Sequence, residues 1–172
     1  MARTLLASGK FDRVVLAPIA VAGSPIARWA GRGDLRPALV REATQLQDRL
    51  DVSAVLWVQG EADFGRAARE RSYAAALGQL VASIRGAGID APIYVYTATW
   101  CLAPALWTSD NPVARAQRGV RAWHGVRARN VFPGVDLDAL LRPEDRYDGC
   151  HLSESGVRKT ASATARLLGA AP

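Results

Sequence analysis

Short, nearly continuous apolar runs alternate along this chain with longer segments whose apolar residues recur every three or four positions. Four runs read as strands: Val14–Ile19, Ala54–Val58, Pro92–Thr97 and the weaker Asn130–Val135. The first three are almost free of polar residues, as strands buried on both faces of a parallel sheet should be. Residues 1–8 read as the tail of a helix closed by Gly9. Arg36–Leu50 sets Leu39, Ala43, Leu46 and Leu50 on one helical face, and Arg66–Arg85 does the same with Tyr73, Leu77, Leu80 and Ile84. Pro112–Arg127 is a further helix, capped by Asp110 or Asn111. Ser153–Leu168 is the last, with Ser153 as N-cap and Gly156 early in it. The alternation predicts a single α/β domain over residues 1–172, with a parallel sheet and right-handed crossovers.

In such sheets, sites form beyond the carboxyl ends of the strands. The unusual residues fall there: Ala22-Gly23-Ser24 after the first predicted strand, Gln59-Gly60-Glu61-Ala62-Asp63 after the second, Trp100-Cys101 after the third, and Asp148 with His151 after the fourth. A carboxylate three residues before a histidine can orient it as a general base and stabilise the imidazolium that forms. The plainer reading is a surface loop with a capping aspartate. His124, the other histidine, sits mid-helix beside Trp123 and reads as an ordinary helix residue. Gln59 can donate an amide N–H to a developing oxyanion, and Gly60 permits close backbone approach; the competing reading is a polar strand-to-helix loop. The stretch around Gly23 and Ser24 offers backbone N–H groups, or is simply a turn. Trp29 either walls a pocket or packs in the core, and Trp57 and Trp100 read the same way.

Composition narrows the function classes. Hydrophobic residues make up 49% of the 172, as in a soluble globular domain. The formal charge of +6 is carried almost entirely by arginine. Those residues are scattered (Arg28, Arg41, Arg69, Arg121, Arg158) rather than clustered, which argues against a nucleic-acid footprint. Cys101 and Cys150 show no metal-ligand spacing, and with two distant histidines no metal site is expected. No export signal is evident, so the expected location is the cytoplasm and the cysteines are expected as free core thiols, a Cys101–Cys150 disulfide being the alternative. No apolar run approaches the roughly 20 residues of a membrane span.

Three blocks, taken in order, resemble one family. Trp57-Val58-Gln59-Gly60-Glu61-Ala62-Asp63 is similar to the Trp-His-Gln-Gly-Glu-Ser-Asp block of SGNH/GDSL-type hydrolases in the sialate O-acetylesterase and acetylxylan esterase branch. Ala22-Gly23-Ser24-Pro25-Ile26 is similar to that branch's Gly-Gly-Ser/Thr block, and Asp148-Gly149-Cys150-His151 to its Asp-x-x-His block. The resemblance implies a three-layer α/β/α sandwich of flavodoxin-like order 2-1-3-4-5 and a cofactor-free ester hydrolase acting on a small-molecule or carbohydrate ester. It implies His151 as base, Asp148 as its orienting carboxylate and Gly23 with Gln59 as oxyanion donors, with Ser24, Trp29, Gly60 and Glu61 around the pocket.

This chain departs from the family at Ala22, Val58 and Ala62, and above all at the nucleophile. The family's Gly-Asp-Ser or Gly-Gln-Ser-Asn block at the end of its first strand has no counterpart here. By resemblance the serine would lie upstream of Met1, leaving the chain truncated at its N-terminus and without the first family strand. That strand would sit between Val14–Ile19 and Ala54–Val58, so its loss exposes two apolar edges or forces these two to pair. Ser24 is the one serine beside the site, and its place in the oxyanion loop does not obviously reach His151. Little or no esterase activity is therefore expected. The alternative is a non-catalytic carbohydrate-binding or structural remnant of the fold.

Overall fold

The computed structural model describes residues 1–7, 9–102, 107–123 and 129–169. Its sheet has three parallel strands in the order β1-β2-β3: β1 (Val55–Trp57), β2 (Ile93–Thr97) and β3 (Val131–Asp136). Val55 pairs with Ile93 and Trp57 with Val95, while Ile93 pairs with Val131 and Val95 with Pro133. Pro133 is tolerated because β3 is an edge strand and needs fewer ladder donors. The register shifts between Val95 and Thr97, so that Thr97 meets Asp136 at the carboxyl end.

Helices cover both faces. β2 is buried along its whole length and its side chains alternate. Ile93 and Val95 join the larger core with α2 (Arg36–Leu50), α4 (Glu70–Gly86) and α5 (Pro112–Arg118). Tyr94 and Tyr96 join a smaller core with Leu137, Leu140, Leu167 and Leu168 from α6 (Leu137–Leu140) and α7 (Glu154–Gly169). α1 (Ala2–Ala7) packs on α7. The three-layer α/β/α arrangement expected from the sequence is present.

Three sequence expectations are corrected. Val14–Ile19 forms no strand: Val15 and Leu16 are more than half exposed, and among the described residues the run has no backbone pairing with β1. An apolar run becomes a strand only where a neighbouring edge lies in register, and among the described residues β1 pairs with β2 alone. The helix expected over Arg66–Arg85 divides instead. A four-residue α3 (Glu61–Phe64) is followed by a turn with Ala67 at φ 53°, and α4 starts only at Glu70. The helix from Pro112 ends at Arg118 and passes into a 3₁₀ turn over Gly119–Ala122. Its expected tail, His124 included, lies outside the described residues.

The caps were legible. Asn111 accepts from Val113 N (3.1 Å) and Ala114 N (3.0 Å), with Pro112 in the first turn. Ser153 Oγ accepts from Gly156 N at 3.4 Å at the start of α7.

Candidate active site

Asp148 and His151 meet in the loop before α7. The carboxylate can only accept, so His151 Nδ1–H donates to Asp148 Oδ2 at 2.6 Å and Nε2 is left as the proton-accepting atom. Asp148 Oδ1 also accepts the backbone N–H groups of Cys150 (2.9 Å) and His151 (2.7 Å). The His151 bond first, and then these backbone donors, hold the Asp148 carboxyl at about 2, so it is ionised at neutral pH. The imidazole stacks on Tyr147, ring centroids 5.8 Å apart, and is open to solvent. Among the described residues no hydroxyl is hydrogen-bonded to the ring.

The loop is pinned at both ends. Buried Asp145 binds Lys159 Nζ (2.7 Å), Ser155 Oγ (2.8 Å) and Arg142 N (3.0 Å), which tie the 3₁₀ turn Pro143–Asp145 to α7. Gly156 makes the approach feasible, since a Cβ there would lie 2.2 Å from the Asp145 carbonyl oxygen. Arg146 Nη1 donates to the Cys150 carbonyl, and Tyr147 N to His151 O. Cys101 and Cys150, expected as free thiols, form a disulfide. The loop after β2 and the loop before α7 converge there, and Leu102 N donates to Gly149 O at 2.9 Å, which brings the two sulfurs within bonding reach.

The Gly23–Ser24 turn and the Gln59 loop share a buried polar network. Ser24 donates its hydroxyl to Val21 O (2.7 Å) and accepts Trp29 Nε1–H (2.8 Å). Its proton is thus used within its own turn, and Trp29 packs in the core against Trp57. Gln59 Nε2 donates to Asp63 Oδ2 (2.6 Å) and Ser24 O (3.2 Å), while its Oε1 accepts from Tyr73. Both amide hydrogens of Gln59 are therefore engaged. Asp63 also accepts Ile26 N at 2.8 Å, so one carboxylate joins the Gly23–Ser24 turn to the Gln59 loop. Gly60 is fixed by space: a Cβ would stand 2.3 Å from Ala98 O. Among the described residues no hydrogen bond links Gly23, Ser24 or Gln59 to His151.

Glu61 and Arg146 act on each other electrostatically. Burial raises the Glu61 carboxyl, and the Arg146 charge opposes that shift. Burial lowers the Arg146 guanidinium, against the pull of Glu61, Asp138, Asp145 and Asp148. Sequence reasoning singled out neither Arg146 nor the Thr99–Asp138 pair. Asp138 takes Thr99 N (2.9 Å), Thr99 Oγ1 (2.5 Å) and Trp100 N (3.2 Å), and Thr99 in turn accepts Asn111 Nδ2 (2.7 Å) and Trp107 Nε1 (3.0 Å). The available signal was position: a carboxylate two residues past β3 and a hydroxyl two past β2, both at the carboxyl edge. Among the described residues no three His, Cys, Asp or Glu side chains cluster as metal ligands, and no helix is long and apolar enough to cross a membrane.

A search of curated protein sequences finds no significant match. Among solved structures, the salicylyl-acyltransferase SsfX3 from a tetracycline biosynthetic pathway superposes with a TM-score of 0.52 at 18% identity. The match covers 80% of this chain and 43% of that one, so this chain spans less than half of the neighbour's length. Identity at this level supports the shared α/β fold alone. A sequence model described as "carbohydrate esterase, sialic acid-specific acetylesterase" matches residues 1–162, nearly the whole chain. The chain thus belongs to the SASA family of carbohydrate esterases.

Proposed function

We propose that this chain holds the base and orienting carboxylate of a carbohydrate O-acetylesterase site and, by itself, turns over little or no ester. The Asp148–His151 hydrogen bond supports the first part. An Nε2 with no hydroxyl partner among the described residues supports the second, because a serine becomes nucleophilic only within hydrogen-bond reach of its base. Ser24, its proton given to Val21 O, does not replace it.

In the complete reaction a serine oxygen attacks the acetyl carbonyl while His151 Nε2 takes its proton. Asp148 stabilises the imidazolium, His151 returns the proton to the departing sugar oxygen, and water then releases acetate. Gly23 N–H and Gln59 are the proposed oxyanion donors. Gln59 would have to exchange its bond to Ser24 O or Asp63 for one to the oxyanion. No cofactor enters this scheme. The family description makes sialic acid esters the first substrates to try. The Cys101–Cys150 disulfide favours an oxidising compartment over the cytoplasm expected from the sequence.

The test is hydrolysis of an aryl acetate by the purified chain. The expected rate matches that of the His151→Ala variant and stays near background. Robust turnover abolished by His151→Ala would overturn the proposal. A second reading, sugar binding without turnover, is favoured by one observation: a cavity walled by Trp100 and Trp107.

A further inference from the structure

The disulfide brings a sulfur from another loop beside the candidate base. Cys101 lies just past β2, the central strand, at the carboxyl edge where open α/β sheets place their sites. Its Cα is 4.1 Å from that of Cys150, the residue before His151. One trans peptide adds about 3.8 Å, so the Cα atoms of Cys101 and His151 are at most about 8 Å apart. Across that separation a thiol and an imidazole come within hydrogen-bond reach by rotating their side chains. The S–S bond is not the only tie between the two loops, because Leu102 N also donates to Gly149 O at 2.9 Å.

The remaining parts of a cysteine site are in place. His151 Nδ1–H is held by Asp148, which leaves Nε2 to accept a proton. The His151 side chain is 68% exposed and both cysteines are partly exposed, so a small ester reaches all three. Among the described residues no hydroxyl is hydrogen-bonded to the ring, and Ser24 gives its proton to Val21 O. A thiol needs less activation than a hydroxyl, and a neighbouring imidazole supplies it by taking the proton. While the S–S bond is intact neither sulfur is a nucleophile, so the oxidised chain stays inactive.

We infer that Cys101 is a latent nucleophile, released by reduction of its bond to Cys150 and activated by His151, which makes the reduced chain a cysteine acyl-transfer enzyme for small esters. A dithiol reductant opens the site: its two thiols supply two electrons and two protons and leave as a disulfide, while Cys101 and Cys150 become thiols. Cys101 Sγ then attacks the ester carbonyl as its proton passes to His151 Nε2. The tetrahedral adduct expels the alkoxide, which takes that proton and departs as the alcohol, and the acyl group remains on Sγ as a thioester. Water, giving a proton to Nε2, attacks the thioester. The acid leaves and the proton returns to Sγ. The inference rests on the reading of Asp148 and His151 as orienting carboxylate and base, and it supplies a nucleophile of a different element from the one that reading lacks.

The test is the reaction of the chain with p-nitrophenyl acetate at neutral pH, oxidised and after reduction by a phosphine that adds no thiol of its own. The acetylated residue is located by peptide mass. The oxidised chain is expected to release no more p-nitrophenol than oxidised His151→Ala. The reduced chain is expected to carry acetyl on Cys101 and to release p-nitrophenol about tenfold or more faster than reduced His151→Ala. Cys150→Ala, in which Cys101 is free without any reductant, is expected to react as the reduced chain does, and reduced Cys101→Ala to react no faster than reduced His151→Ala. Acetyl on Cys150 in place of Cys101, equal rates in the reduced native chain and reduced His151→Ala, or an unreactive Cys150→Ala with native circular dichroism would each overturn the inference. Turnover by the oxidised chain that depends on His151 would overturn the missing-serine reading alone, because the residue acetylated on reduction is read separately.

Discussion

At the scale of the residue, the site depends on carboxylates whose partners keep them ionised well into acid. Asp145 is the clearest example. Lys159 first, then the Arg142 N–H and Ser155, lower it to about 2 from an ordinary 3.8. A carboxyl depressed in the folded state stabilises the fold fully above its unfolded value and ceases to do so as pH falls through its folded value. The melting temperature of the native chain should therefore exceed that of Asp145→Asn at pH 7, and the gap should close between about pH 3.8 and pH 2. A gap undiminished at pH 2 would show that the bonds of Asp145 to α7 do not have the strength assigned to them. Asp148 follows the same sign, so His151 keeps an ionised partner across the physiological range. The Asp148–His151 pair was legible in the sequence because three-residue spacing brings two side chains together within one loop. Thr99, Asp138 and Arg146 were not, because their association is made by the fold: Thr99 and Asp138 alone are 39 positions apart.

At the scale of the element, helices were easier to read than strands. α2 falls on the residues its apolar spacing predicts, and Asn111 and Ser153 cap where capping chemistry requires. The start of α4 was missed because Glu61–Phe64 makes a separate turn, held by the close contact of Gly60 with Ala98. That contact is long-range and leaves no periodic signal. The Cys101–Cys150 bond was also weighed wrongly, since loop convergence is a tertiary event. Its consequence is measurable. Linking residues 49 apart should stabilise the chain by roughly 4 kcal/mol on a loop-closure account. Urea unfolding with and without a thiol reductant should show a loss of that order, together with altered signals of Tyr147 and His151. Unchanged stability and an unchanged His151 environment on reduction would contradict the role given to the disulfide in fixing the loop.

At the scale of the molecule, β1 forms one edge of the sheet. Among the described residues β1 has a single neighbour, and Val15, Leu16, Val21 and Val58 stay exposed. An unpaired edge beside apolar surface invites association. The chain should self-associate as concentration rises in sedimentation velocity runs, and Val15→Lys with Leu16→Lys should reduce this. A monomer across the whole micromolar range would show that the exposed run is harmless. The central claim, that His151 activates no serine in this chain, is tested most directly by a serine-directed fluorophosphonate probe read by intact mass. The account predicts no adduct on the native chain. An adduct on Ser24 or any other serine, formed by the native chain and lost in His151→Ala, would contradict it.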